Sequence, residues 1–136
     1  MAVLETVATT HREPAIRVIM MPKDTNALGT IFGGIILSYL DQAGAVGATA
    51  AVPGRLVTVA MHTVEFHQPV FVGDLVSFYA DLLRIGSTSI TVKVEVIAQR
   101  RDGGRVKVTE AEVVYVHIDE NNRPRKIEEP GDPGER

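Results

Sequence analysis

The sequence predicts an α+β fold in which one antiparallel β-sheet wraps around a single long helix. Residues 31–52 are apolar on nearly every face, and a helix with that pattern must be surrounded by other structure. Four β-rich runs follow, separated by turn-forming residues, and the run at 88–99 alternates between apolar and polar side chains as a half-buried strand does. One sheet around one apolar helix buries both sets of side chains.

The elements follow from local composition. Residues 15–21 form a short apolar run that predicts a strand, residues 22–30 are rich in turn formers, and Pro53 and Gly54 end the helix. The later strands are predicted at residues 56–67, 75–85, 88–99 and 105–118. Because short glycine-containing turns separate these four strands, we expect them to pair as an antiparallel meander. The last strand changes phase between Val108 and Ala111, which predicts a β-bulge.

The length of 136 residues suits one domain. We expect it at residues 15–118, between a flexible arm at 1–14 and a charged, mobile tail at 119–136.

The net charge of −3 argues against a nucleic-acid surface. Without cysteine, thiolate nucleophiles and cysteine-bound zinc are excluded, and the four histidines lack metal-site spacing. We therefore expect no metal, no membrane span and a cytoplasmic location.

Asp41 is the first candidate for chemistry. It lies inside the most apolar segment of the chain, where ionised carboxylates are rare unless they are paired or functional. Asp41 either reaches solvent or a local hydrogen bond, or it has a chemical role. As a functional group it would act as a general base on water, or as a nucleophile that forms a mixed anhydride. The sequence leaves these alternatives open.

The junction between the loop and the helix is the second candidate. Gly33 and Gly34 stand at the helix start, where each costs about 1 kcal/mol of helix propensity relative to alanine. Either the helix packs tightly there, or its free N–H groups bind a substrate carbonyl and stabilise an oxyanion. Asn26 is interpreted as a helix cap or Asx-turn, or as an amide that orients water or that carbonyl.

These same residues carry a family resemblance. Residues 21–26, Gly29, residues 31–34 and residues 40–44 closely resemble the helix-entry motif of the hotdog acyl-CoA hydrolases, in the short bacterial branch related to brain acyl-CoA hydrolase. Weaker matches continue through residues 57–59, 66, 69–70, 72–74, 86–89 and 109–111, so that the resemblance covers about residues 16–124. Family members often carry a polar residue where this chain has Leu28, and a basic residue near Gln68.

The resemblance implies a hotdog fold and the hydrolysis of acyl-CoA to a carboxylic acid and CoA, without a bound cofactor. Asp41 would be the catalytic carboxylate, Asn26 its partner from the facing subunit, and the amides of Gly33 and Gly34 would polarise the thioester carbonyl. We place the CoA site at Gly86, Ser87, Thr88, Ser89 and Thr58. The subunits are expected to form a homodimer, and the dimers to form a trimer of dimers.

Two other functions belong to similar folds. A hotdog dehydratase or hydratase needs a histidine near the helix, and no histidine lies between Arg12 and Met61. A non-catalytic acyl-CoA-binding module remains an alternative.

Helix geometry predicts a site shared between subunits. Gly34 and Asp41 are seven residues apart, or about 10 Å along a helix, so Asp41 cannot easily reach a carbonyl held at the start of its own helix. An antiparallel helix of a second subunit would supply its own Asp41. We expect small residues to let the two helices approach; these are Ala43, Gly44, Gly47 and Ala48.

Overall fold

The predicted fold class is confirmed. The structure is a computed structural model and describes residues 12–128, which form one helix packed against a five-stranded antiparallel sheet. The elements are β1 (Ile16–Ile19), α1 (Gly33–Ala51), β2 (Arg55–His62), β3 (Leu75–Ile85), β4 (Ser89–Gln99) and β5 (Arg105–Ile118), with a 3-10 turn at Pro22–Asp24. Every predicted element is present, although β2 ends five residues before its predicted end at residue 67.

The predicted four-stranded meander is wrong in one pairing. The strand order is β1-β3-β4-β5-β2, so β3, β4 and β5 form a meander, whereas β2 pairs with β5 at the opposite side of the sheet from β1. The reason is the connection between β2 and β3. Residues 63–74 are too many for a tight turn, and they cross the fold, making a backbone hydrogen bond from His67 N to the Val108 carbonyl on the way.

The core lies between α1 and the inner face of the sheet. Side chains of α1 that are at most 1% exposed meet fully buried residues of β3 and β4; these core residues include Ile36, Leu40, Phe78, Val92, Val94 and Val96.

The small residues of α1 also face this sheet. A Cβ at Gly47 would lie 2.8 Å from the Ala80 Cβ, and Ala43 and Ala48 are fully buried within the chain. Our expectation that these residues line a contact between two helices is therefore wrong.

The β-bulge predicted in the last strand is confirmed. Val96 pairs with Thr109 and Ile97 pairs with Lys107, which leaves Val108 as the extra residue. Val108 and Thr109 are both fully buried. The phase change in the sequence therefore reflects two consecutive inward-facing side chains.

The predicted mobile tail is partly packed. Ile127 is only 8% exposed and belongs to the core, its amide donates to the Ser87 carbonyl at 2.8 Å, and the Arg125 amide donates to the His117 carbonyl at 2.7 Å. Of the arm predicted at residues 1–14, residues 1–11 lie outside the described residues, as do residues 129–136 of the tail; Arg12 pairs with Asp81 and Glu95. No helix between residues 12 and 128 is long and apolar enough to cross a membrane.

Candidate active site

Three elements meet at Asp41. Its side chain is half-buried on α1, and its Oδ1 accepts a hydrogen bond of 2.7 Å from the Thr58 hydroxyl of β2. The Tyr115 hydroxyl of β5 donates to the Asp41 backbone carbonyl at 2.6 Å and lies 3.1 Å from Oδ1. The carboxylate therefore has local partners and also reaches the surface, so that one side of it remains accessible.

Strand pairing brings the two hydroxyl groups together. Thr58 and Tyr115 are cross-strand partners, and the register of β2 shifts directly after Thr58, which leaves Val59 as an extra residue. We had placed Thr58 with the CoA-contacting residues; the structure places it against Asp41. Tyr115 was missed in the sequence, although a tyrosine at an inward position of the last strand must find a partner for its hydroxyl.

Tyr115 acts as a donor across the physiological pH range. Burial raises the pKa of Tyr115 well above its ordinary value, and the negative charge of Asp41 and its hydrogen bond raise it further. The phenol therefore stays protonated, and its single hydrogen faces two oxygens of Asp41.

The start of α1 carries unpaired backbone donors. Within residues 12–128 the amides of Gly33 and Gly34 make no hydrogen bond, and the helical ladder begins with Ile35 and Ile36, whose amides donate to the Phe32 carbonyl. A Cβ at Gly34 would meet nothing within 4 Å, and one at Gly33 would make only an ordinary contact with Phe66. Packing does not require glycine at either position.

A cavity lies beside these donors. It has a volume of about 300 Å³, and Gly33 and Ile36 line it from the helix side. Phe66 and Pro69, from the segment that connects β2 to β3, line the other side. An acyl group held at the Gly33 amide would therefore meet an apolar surface.

Asn26 is held within its own loop. Its Oδ1 accepts hydrogen bonds from the amides of Leu28 and Thr30, at 2.8 and 3.2 Å, and its Nδ2 donates to Thr30 Oγ1 at 2.8 Å. These contacts form the Asx-turn that was one of the two interpretations. One hydrogen of Nδ2 remains available. Among the described residues Asn26 does not contact Asp41, whose side chain bonds to Thr58 and Tyr115.

The turn at residues 86–89 lies near the other end of the helix. The Gly86 amide donates to the Ser89 carbonyl at 2.7 Å. Gly86 and Ser87 border a groove of about 1040 Å³ beside Ala51, the last residue of α1, and Val52, which caps the helix. The cationic residues that border the groove are Arg55, Arg125 and Lys126. Since α1 has 19 residues, about 27 Å separate this end from Gly33. A single chain does not bring these predicted site residues together.

Comparisons with known proteins identify the family. The family model described as the thioesterase superfamily matches residues 28–104. An acyl-CoA thioester hydrolase of Haemophilus influenzae is 44% identical over 116 residues, which are 82% of this chain and 75% of that protein. The acyl-CoA thioester hydrolase YciA of Escherichia coli is 40% identical over 129 residues, with 89% of this chain and 98% of YciA covered.

Solved structures agree with this assignment. A hexameric hotdog-fold thioesterase of Campylobacter jejuni is 44% identical and superposes with a TM-score of 0.80 over 85% of this chain and 90% of that one. A hexameric broad-specificity acyl-coenzyme A thioesterase, HI0827, is 40% identical with a TM-score of 0.82, over 88% of this chain and 84% of the other. The helix in its antiparallel sheet is thus the hotdog fold, and the chain belongs to the thioesterase superfamily.

Proposed function

We propose that this chain is an acyl-CoA thioesterase, which hydrolyses acyl-CoA to a free carboxylic acid and CoA. The observation that carries the proposal is the half-buried Asp41 carboxylate, which Thr58 and Tyr115 hold on the one long helix. The acyl-CoA hydrolases among its relatives support the substrate class. A cytoplasmic location stays a prediction.

Asp41 would act through the oxygen that the protein leaves open. Thr58 and Tyr115 both approach Oδ1, and no hydrogen bond to Oδ2 occurs within residues 12–128. As a general base, Oδ2 would take a proton from water while that water attacks the thioester carbon; the intermediate then expels CoA thiolate, which takes up the proton. As a nucleophile, Oδ2 would attack the carbon itself and expel CoA thiolate, which leaves an anhydride. Water then cleaves the anhydride to the carboxylic acid and the free Asp41 carboxylate, and the proton released is taken up by the CoA thiolate. Both routes remain open.

The amides of Gly33 and Gly34 would bind the carbonyl oxygen. They point out of a helix start, where partial positive charge stabilises the oxyanion that forms on attack. Because Asp41 lies about 10 Å further along the same helix, we propose that the partner subunit supplies the Asp41 that acts at this carbonyl. Asn26, with one amide hydrogen left, would orient the water or the carbonyl.

CoA would extend from this point towards the turn of Gly86, Ser87, Thr88 and Ser89. Within one chain, about 27 Å separate this turn from the start of the helix, so the two cannot contact the same CoA thioester end. In an antiparallel pair of helices, the turn of one subunit approaches the helix start of the other. Thr58, at Asp41, would contact the thioester end of CoA. We propose a homodimer and, since two of the similar structures are hexameric, a trimer of dimers.

The test is Asp41→Asn. We expect the variant to fold normally and to lose hydrolysis by ~10²–10⁴-fold, as the loss of a general base typically does. The measurement is the release of free CoA from acyl-CoAs of graded chain length. Asp81→Asn, at an exposed carboxylate paired with Arg12, is the matched control and should keep full activity. Wild-type turnover in a folded Asp41→Asn protein would refute the role of Asp41.

The alternative, a non-catalytic acyl-CoA-binding module, gives a different result in the same assay. Such a module would release no CoA even as the wild-type chain, while calorimetry would still detect acyl-CoA binding.

A further inference from the structure

We propose that Tyr115 is a positioning residue that aims the Asp41 carboxylate, and that Gly44 is glycine because it gives the Tyr115 hydroxyl access to the helix. The inference rests on the proposed role of Asp41, and it adds two residues to which the family resemblance assigns no role.

The first step is the contact itself. Tyr115 is 1% exposed, and its hydroxyl donates at 2.6 Å to the backbone carbonyl of Asp41 and lies 3.1 Å from Oδ1 of the same residue. A hydroxyl that touches both the backbone and the side chain of one residue limits the rotation of that side chain. Thr58 binds Oδ1 from the neighbouring strand, so the two hydroxyl groups together fix which carboxylate oxygen faces outward.

The second step is the space that the hydroxyl occupies. A Cβ at Gly44 would lie 2.3 Å from the Tyr115 hydroxyl oxygen, and 3.2 and 3.3 Å from two ring carbons. Gly44 lies in the interior of α1, where glycine disfavours a helix. The closest obstacle to a side chain there is the hydroxyl oxygen, so the requirement for glycine at 44 comes from Tyr115.

The third step is the consequence for catalysis. Without the hydroxyl, Asp41 keeps Thr58 alone and samples unproductive orientations. Loss of one hydrogen bond of this kind predicts a fall in kcat of about tenfold, with KM nearly unchanged because the substrate surface is intact.

The experiment compares Tyr115→Phe with Tyr39→Phe in the full chain. Tyr39 lies on the same helix, packs against Phe78 with ring centroids 5.8 Å apart, and its hydroxyl makes no hydrogen bond among the described residues. We expect Tyr115→Phe to show the tenfold loss in kcat with KM nearly unchanged, and Tyr39→Phe to keep the wild-type kcat and KM. Equal kcat values for the two variants, or a loss in Tyr115→Phe that appears in KM instead of kcat, would overturn the proposal.

A double variant tests whether Tyr115 acts through Asp41. In the Asp41→Asn background, Tyr115→Phe should change the residual rate by less than about twofold, because the group it positions is gone. A further tenfold loss would show an independent role and overturn the proposal. Retained activity in Asp41→Asn itself refutes the proposed role of Asp41, on which the positioning role rests, whereas a wild-type chain that releases no CoA refutes the proposed function. An inactive Asp41→Asn with a fully active Tyr115→Phe refutes only the positioning role.

Gly44→Ala provides a second test, and its first readout does not require the Tyr115→Phe variant to fold. The added methyl group must displace the phenol, so we expect lower kcat and a lower Tm, and the Tm should rise again when Tyr115→Phe removes the hydroxyl from the same chain. Wild-type kcat in Gly44→Ala, or a Tm that Tyr115→Phe lowers further in this background, would overturn the assignment of Gly44.

Discussion

At the scale of single residues, Asp74 shows what a sequence pattern leaves out. The Val72-Gly73-Asp74 stretch predicts a turn, and Gly73 indeed has a φ of 90°. The structure adds that Asp74 is 2% exposed, accepts the Phe71 amide at 2.9 Å and forms an ion pair with Arg100. Arg100 is 26 residues away in sequence, so this partner depends on the pairing of β3 with β4. No local pattern encodes it.

The buried pair predicts a strong effect on stability. Asp74→Ala would leave the Arg100 charge and the Phe71 amide without their partner, and loss of one member of a buried pair costs about 3–5 kcal/mol. We expect a decrease of about 3 kcal/mol in the free energy of unfolding, measured by urea denaturation. Asp81→Ala, whose carboxylate is 57% exposed in its pair with Arg12, should cost less than about 1 kcal/mol. Similar losses for both variants would contradict this reading of Asp74.

The candidate site was partly predictable at this scale. Asp41 was identified because a carboxylate stands out in an apolar helix, and Gly33 and Gly34 because glycine is unfavourable there. Tyr115 was missed because a strand tyrosine is common, and its importance depends on a hydroxyl that lies 2.6 Å from a residue 74 positions earlier.

At the scale of elements, periodicity predicted what one segment can encode by itself. The alternation of β4, the bulge at Val108 and the apolar helix follow from local side-chain patterns. The pairing of β2 was not predictable in this way. Turn residues suggested a hairpin to β3, but residues 63–74 form a long crossing connection, and which strand β2 then meets depends on the packing of the whole sheet.

The C-terminal segment yields an element-scale prediction. Its composition of charges, prolines and glycines conceals one core residue, Ile127, at 8% exposure. We expect Ile127→Ala to lower the free energy of unfolding by about 2 kcal/mol, at the lower end for such truncations. Thermal denaturation checks this.

The residues that follow give a second prediction. Deletion of residues 131–136 should leave Tm and activity nearly unchanged, which thermal denaturation also checks. A Tm loss of several degrees in the deletion variant would show that the terminal residues are docked.

At the scale of the whole molecule, one chain holds the site residues apart. The candidate groups lie at successive positions along about 27 Å of helix. The amides of Gly33 and Gly34 are at its start, Asp41 is about 10 Å further on, and the turn at residues 86–89 lies beside its end. The small residues that we had assigned to a contact between helices pack against the sheet of their own chain. The proposal of a shared site therefore rests on this separation and on the family resemblance, and no longer on the small residues of α1.

Complementation tests the shared site. Asn26→Ala and Asp41→Ala chains, each inactive, are unfolded, mixed and refolded together. A mixed dimer would contain one intact site and one doubly damaged site. About half of randomly paired dimers are mixed, so roughly a quarter of wild-type activity should return. Each variant refolded alone is the control, and mass spectrometry counts the mixed dimers. Mixed dimers without activity would refute the shared site.

The pairing of β2 with β5 also determines when the protein can assemble during its synthesis. Arg55 pairs with Ile118, so β2 leaves the ribosome long before β5, the one strand that pairs with it among residues 12–128. Val57 and Val59 lie on the surface of β2. Contacts between such distant segments slow folding, and an unpaired strand edge invites aggregation. The last strand to be translated both closes the sheet and delivers Tyr115 to Asp41. A nascent chain therefore completes its sheet and fixes the Asp41 carboxylate in the same late event.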